Sequence, residues 1–173
     1  MIRFADLVQS PWPNGAGRKA DIRTGDGWVI AFAWLERDAP FSDYTGFDRT
    51  ITLVEGPGFR LRFTPETSPD LLIDRAHIPT DFDGGWPTQC DILGPCLVLN
   101  AYSDRTRYRH EVEIIDTQVD IDPTGTLATV AVVLRGRLPD DTGPNDSLDV
   151  SAPIRLAIPQ GSRAAVIRIF ARG

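Results

Sequence analysis

Apolar and polar side chains that trade places every second residue, in short runs cut off by turn residues, leave this chain little choice but to form sheets. Gly58-Phe59-Arg60-Leu61-Arg62-Phe63 puts Phe59, Leu61 and Phe63 on one face and Arg60 and Arg62 on the other, the pattern of a half-buried strand. Arg105, Arg107 and Arg109 alternate in the same way with Thr106, Tyr108 and His110, and Ile167-Arg168-Ile169 repeats the pattern. Further strands are expected over 28–35, 49–55, 95–101, 111–118, 127–135 and 154–158, where Val, Ile, Leu, Thr and aromatic residues gather. No stretch carries the longer period of an extended amphipathic helix. Between the runs stand Glu55-Gly56-Pro57-Gly58, Thr64-Pro65-Glu66-Thr67-Ser68-Pro69, Asp83-Gly84-Gly85 and Asp122-Pro123-Thr124-Gly125. Turns this frequent predict an all-β sandwich or barrel.

The regions before and after about residue 110 are alike in kind, and no linker of shifted composition separates them, so residues 1–173 read as one domain. Pro139-Asp140-Asp141-Thr142-Gly143-Pro144-Asn145-Asp146 reads as an exposed hairpin loop rather than a boundary. A chain of 173 residues with 42% hydrophobic and 24% charged residues is long enough for a core and has the composition of a folded domain. No apolar run is long enough to span a membrane. Met1-Ile2-Arg3-Phe4-Ala5-Asp6 lacks the apolar stretch of a secretory signal, so the expectation is a cytoplasmic protein with no membrane partner.

A net charge of −6 argues against nucleic acid, because neutralising phosphates needs a basic surface. Of the basic residues only Lys19 is a lysine; the rest are arginines, whose planar forks suit carboxylates and phosphates. A small anionic ligand therefore stays open. Cys90 and Cys96 flank Gly94-Pro95 without Cys-x-x-Cys spacing, and they read as buried apolar side chains.

Three segments could carry chemistry. Pro11-Trp12-Pro13-Asn14-Gly15-Ala16-Gly17 is too rich in Pro and Gly for a helix or a central strand. It is either a structural turn plugged by Trp12 or a loop that presents the Asn14 amide to a ligand. In Pro40-Phe41-Ser42-Asp43-Tyr44-Thr45-Gly46-Phe47-Asp48-Arg49, apolar anchors surround polar groups. Arg49 opens an alternating run and can point inward, where a guanidinium needs an anion from protein or ligand. Gly94-Pro95-Cys96-Leu97-Val98-Leu99-Asn100 places a second amide beside a bend.

Metal chemistry finds little support, since His77 and His110 have no partner at ligand spacing and the expectation is no metal. Asp120-Ile121-Asp122-Pro123-Thr124-Gly125 begins like a calcium loop but has Ala131 where the bidentate Glu belongs, so it reads as a hairpin turn. No Ser-His-Asp or Cys-His set can be assembled.

In order and content these segments resemble the HutD/Ves family of cupin-like proteins, whose members show Pro-Trp-Lys-Asn-Gly-Gly-Gly-x-Thr, then Pro-Phe-Ser with Gly-x-Asp-Arg, then Phe-x-Gly, then Asp-Phe-Asn followed by Arg. Matching residues are Pro11, Trp12, Asn14, Gly15 and Gly17; Pro40, Phe41, Ser42, Gly46, Asp48 and Arg49; Phe82 and Gly84; Asn100 and Arg105. Pro13, Ala16 and Lys19 depart from the first segment, Val29 and Ala31 replace an Arg and a Ser usual after the strand Trp28, and Val98-Leu99 replaces Asp-Phe. The framework is kept while polar groups of the pocket change.

The resemblance implies a cupin-like fold (RmlC-like jelly roll) with two β-barrel halves in one chain, no cofactor, and a homodimer as a candidate assembly. It also implies a regulatory protein that binds a small acidic metabolite, such as a histidine-degradation intermediate. A metal-free cupin isomerase or lyase acting on a small carboxylate, with an Asp as acid and base, is the alternative. A subunit whose role is a protein interface is a third reading. The site is expected where Trp12, Asn14, Arg49 and Asn100 converge, with Lys19 and Arg62 at the rim. The competing expectation is that these residues form a hydrogen-bonded framework that holds loops together.

Overall fold

Alternating strands need a second layer against which to bury their apolar face. In the computed structural model of the protein, which describes residues 1–64 and 69–173, each unit of the chain supplies that layer with a second sheet. Among the described residues the one helical element is a 3-10 turn, Phe4–Asp6. The all-β expectation holds. Of the expected turn over 64–69, residues 65–68 lie outside the described residues.

The chain divides into two compact units, Val8–Thr106 and a second that joins Met1–Leu7 to Arg107–Gly173. The first contains β1 (Gln9–Pro11), β2 (Gly17–Gly25), β3 (Trp28–Leu35), β4 (Ala39–Pro40), β5 (Phe47–Glu55), β6 (Phe59–Phe63), β7 (Leu71–Ile73), β8 (Pro79–Asp83), β9 (Thr88–Ile92) and β10 (Cys96–Asp104). One sheet runs β1-β2-β3-β10-β5-β8 and the other β4-β9-β6-β7. From β3 to β10 every connection except β6 to β7 crosses from one sheet to the other. The ladders form two open sheets rather than one closed barrel.

The core lies between those sheets. Ala33, Ile51, Leu53 and Val98 from the larger sheet meet Phe59, Leu61, Phe63, Ile73 and Cys90 from the smaller. The alternation read at Phe59–Phe63 is thus the real burial pattern, with Arg60 and Arg62 turned outward. Cys90 and Cys96 are free and buried, as expected. Burial pushes the Cys90 thiol up to about 12 and raises that of Cys96. Both are therefore expected to resist a thiol-specific disulfide reagent at pH 8 in the native protein and to react fully in denaturant, because the thiolate is the nucleophile. Rapid native labelling of Cys90 would contradict this burial.

The other unit contains β11 (Tyr108–Ile115), β12 (Val119–Ile121), β13 (Ala128–Arg135), β14 (Ser147–Asp149), β15 (Ile154–Leu156) and β16 (Arg163–Ala171), in sheets β11-β16-β13-β14 and β12-β15. Ile121, Val133, Leu156 and Val166 are among its core residues. Arg105 and Arg107 precede β11 in a turn, so the expected arginine alternation begins at Tyr108. Asp122 Oδ1 accepts the Thr124 amide at 2.9 Å, so the segment is a turn, but not the hairpin expected: β12 pairs with β15 and β13 with β14 and β16, and the turn carries the chain from one sheet to the other.

The loop over 139–146 joins the paired strands β13 and β14 as the hairpin expected, but only part of it is exposed: Pro139, Asp140, Asp141 and Pro144 face solvent, whereas Thr142, Asn145 and Asp146 are buried. Asp146 accepts hydrogen bonds from Arg3 at 2.7 Å, the Phe4 amide at 2.9 Å and the Gly143 amide at 3.0 Å. These donors hold its carboxyl below the usual range against the cost of burial. Together with the paired amides and carbonyls of Ile2 and Ser147, they bring the first residues of the chain into this unit.

Candidate functional site

Residues paired across antiparallel strands share a face. Register places Lys19 beside Ala33, Asp21 beside Ala31, Ala31 beside Asn100, Tyr102 beside Arg49, and Arg49 beside Phe82. One face of the larger sheet therefore grades from the apolar core at Val98 and Leu53 to a polar end at Asn100, Tyr102 and Arg49. Over that end lies a cavity of about 510 Å³, walled by loops carrying Trp12, Pro13, Phe41 and Tyr44.

Those loops are held by their own chemistry. The Trp12 amide donates to the Gly17 carbonyl and the Gly15 amide to the Trp12 carbonyl, both at 2.9 Å. Asn14 Oδ1 accepts the Ala16 amide at 3.0 Å. A side chain at Gly17 would meet the Trp34 carbonyl oxygen at 2.2 Å and the Trp12 ring at 3.2 Å, so glycine is what lets the indole lie against the sheet.

The second loop is clamped by Arg105, which meets Asp48 at 3.1 Å and Asp83 at 2.8 Å and donates to the Phe47 carbonyl at 2.8 Å. Gly84 packs against the carbonyl oxygens of Phe47 and Tyr44. Asp48, Asp83, Gly84 and Arg105 thus form a framework that aims Tyr44 and Arg49.

Because neighbours in a strand point to opposite faces, Asp48 cannot serve Arg49. Arg49 is only 7% exposed and its Nε has no hydrogen-bond partner. Its guanidinium carbon lies 5.0 Å from the Phe41 and Phe82 ring centroids, 5.3 Å from Tyr44 and 5.9 Å from Tyr102. Aromatic faces stabilise a desolvated cation by roughly 0.5–2 kcal/mol each, less than a carboxylate partner would. Burial lowers the Arg49 pKa to about 10, so the group is still charged at neutral pH. Asn100 is 6% exposed, and its Oδ1 is likewise buried without a donor. The Tyr44 and Tyr102 hydroxyls lie 3.5 Å apart, and burial raises the Tyr102 pKa.

Of the six residues expected at a site, Trp12, Asn14, Lys19, Arg49 and Asn100 line this cavity, and Arg62 does not. Arg62 sits on the outward face of β6, where Asp91 holds it at 2.6 Å; one step of strand register separates it from the interior. Lys19 is half-exposed and paired with Asp21 at 2.9 Å. Asn14 lends one lone pair of its oxygen to the loop, a bond that uses neither the second lone pair nor the amide nitrogen. Tyr102 was missed, although it follows Asn100 by two residues on one strand and period 2 alone puts both on one face. Among the described residues no group of three or more His, Cys, Asp or Glu is placed to hold a metal ion.

A family model described as HutD matches residues 4–162. An uncharacterised 21.2 kDa protein in the hutC 3′ region of Pseudomonas putida is 30% identical over 124 residues, which span 67% of this chain and 64% of the relative. The solved structure of HutD from Pseudomonas fluorescens SBW25, described as a formate condition, superposes with a TM-score of 0.83 at 23% identity and covers 99% of this chain and 98% of that one. A conserved protein of unknown function from Pseudomonas aeruginosa PAO1 gives a TM-score of 0.84 at 23% identity and the same coverage. A cupin 2 conserved barrel domain protein from Leptotrichia buccalis is more distant, at a TM-score of 0.52 and 7% identity over 89% of this chain and 88% of its own.

Proposed function

This chain belongs to the HutD family, and from that premise we propose that its cavity binds a small carboxylate metabolite in a regulatory role, with a formylated glutamate or urocanate as candidates. The observation that carries the reading is Arg49, a buried cation enclosed by aromatic rings with no carboxylate partner among the described residues. Leaving a charged group desolvated and unpaired costs several kcal/mol, which a bound carboxylate offsets through charge-assisted hydrogen bonds. The hutC setting of the Pseudomonas putida relative supports a histidine-degradation context, and with it a cytoplasmic site of action. The two sandwiches are read as the two halves of a bicupin chain, with a homodimer as the candidate assembly.

Calorimetric titration of the full chain tests the proposal. N-formylglutamate or urocanate is expected to bind with a one-to-one stoichiometry while the corresponding amides, which lack the anion, do not. Equal binding of acids and amides would refute the role given to Arg49.

The Tyr44 and Tyr102 hydroxyls beside Arg49 favour one second reading, an acid–base enzyme acting on a small carboxylate. It differs in that the bound acid would be converted, which a proton NMR time course of the same mixture detects.

A further inference from the structure

We propose that the ligand of this cavity carries a hydrogen-bond donor, an N–H or O–H, close beside its carboxylate, as a 2-acylamino or 2-hydroxy acid does. The inference rests on the reading of Arg49 as the carboxylate anchor and adds a second requirement to it. Two different unmet needs lie in one cavity. Arg49 lacks an acceptor at Nε, whereas Asn100 lacks a donor at Oδ1, and both atoms are buried. An anion alone meets only the first need.

Their spacing restricts the ligand. Arg49 pairs with Tyr102 and Asn100 pairs with Ile51 across the same two strands. Arg49 and Asn100 are thus diagonal neighbours on one face, ~7–8 Å apart at the backbone. A ligand whose donor lies close beside its carboxylate can therefore reach both side chains from one position over this face. Tyr102, at i+2 from Asn100 on the same face, donates nothing to that oxygen, and Ala31, directly opposite Asn100, has no polar side chain to offer. A ligand that satisfies the amide oxygen gains more than the bond itself, because a buried polar atom left unpaired is what discriminates against analogues lacking the donor. Simple fatty acids and unsaturated acids with only C–H next to the carboxylate fall outside this class, so of the two candidates named above the formylated glutamate meets the added requirement and urocanate does not.

Titration calorimetry on the full chain with three probes tests the proposal: acetate, N-formylglycine, and N-formylsarcosine, in which a methyl group replaces the amide hydrogen. The wild type is expected to bind N-formylglycine at least tenfold more tightly than N-formylsarcosine. In Asn100→Leu that ratio is expected to fall to about twofold or less. Removing an unsatisfied polar atom favours folding of this variant, and Asn100→Ala gives the same readout should the leucine overpack. If the wild type binds acetate yet fails to separate the two formyl compounds, or if the ratio survives in both Asn100 variants, the donor requirement is wrong and the Arg49 anchor stands. If neither acetate nor N-formylglycine binds the wild type, the anchor itself fails and this inference with it.

Discussion

Arg49→Met is expected to abolish carboxylate binding while leaving the fold as stable as wild type or more so. A guanidinium fork holding a carboxylate makes two charge-assisted hydrogen bonds of ~1.5–3 kcal/mol each, so their removal weakens binding by at least about a hundredfold. Stability moves the other way because no protein anion is lost. Methionine fills much of the same volume against Phe41 and Phe82, and the desolvation cost of the cation disappears. With a pKa lowered from 12.5 to about 10, that cost is on the order of 3 kcal/mol, offset in part by the lost ring contacts.

The same shift sets a pH signature. Between pH 10 and 12.5 the unfolded chain keeps a proton on this arginine that the folded chain has released, so this residue makes stability rise with pH across that window. The variant lacks that contribution. Ligand binding by the wild type declines as pH passes about 10 and the cation is lost. Urea denaturation and calorimetry over pH 7–11 measure both trends. Unfolding of Arg49→Met at neutral pH would identify Arg49 as a framework residue and sink the binding reading.

The second large effect is in the core. Phe59→Ala is expected to cost 3–5 kcal/mol, as cavity-forming Phe substitutions do, because the ring is fully buried and its strand neighbours Ile73 and Ile92 cannot close the space. One residue further on, Arg60 is exposed, and its contact with Asp70 at 3.7 Å is a loose surface pair. Arg60→Ala is therefore expected to change stability by no more than about 0.5 kcal/mol. Comparable losses from the two variants in chemical denaturation would mean that β6 does not present its alternate residues as described.

Much of this was legible in the chain and some was not, and the division follows the range of the physics. Period 2 is a local property, so strands such as Phe59–Phe63 and the outward turn of Arg60 and Arg62 follow from residue order alone. Strand by strand, the same rule turns Arg62 away from the interior and puts Tyr102 on the face of Asn100. Glycine and proline specify bends through their own backbone limits, which is why the Trp12–Gly17 loop could be read as a turn before its hydrogen bonds were seen. Which strand lies beside which is another matter. Nothing local makes β10 the neighbour of β5, sets Asn100 diagonal to Arg49, or sends Asp48 to Arg105 and leaves Arg49 without an anion among the described residues. Nor does residue order bring Arg3 and the Phe4 amide to Asp146 across most of the chain's length. Those are long-range pairings selected by the burial of whole faces, and the tertiary structure alone decided them. The sequence by itself determined that Arg49 would stand at the start of an alternating strand; the fold determined that aromatic rings, and no carboxylate among the described residues, would surround it.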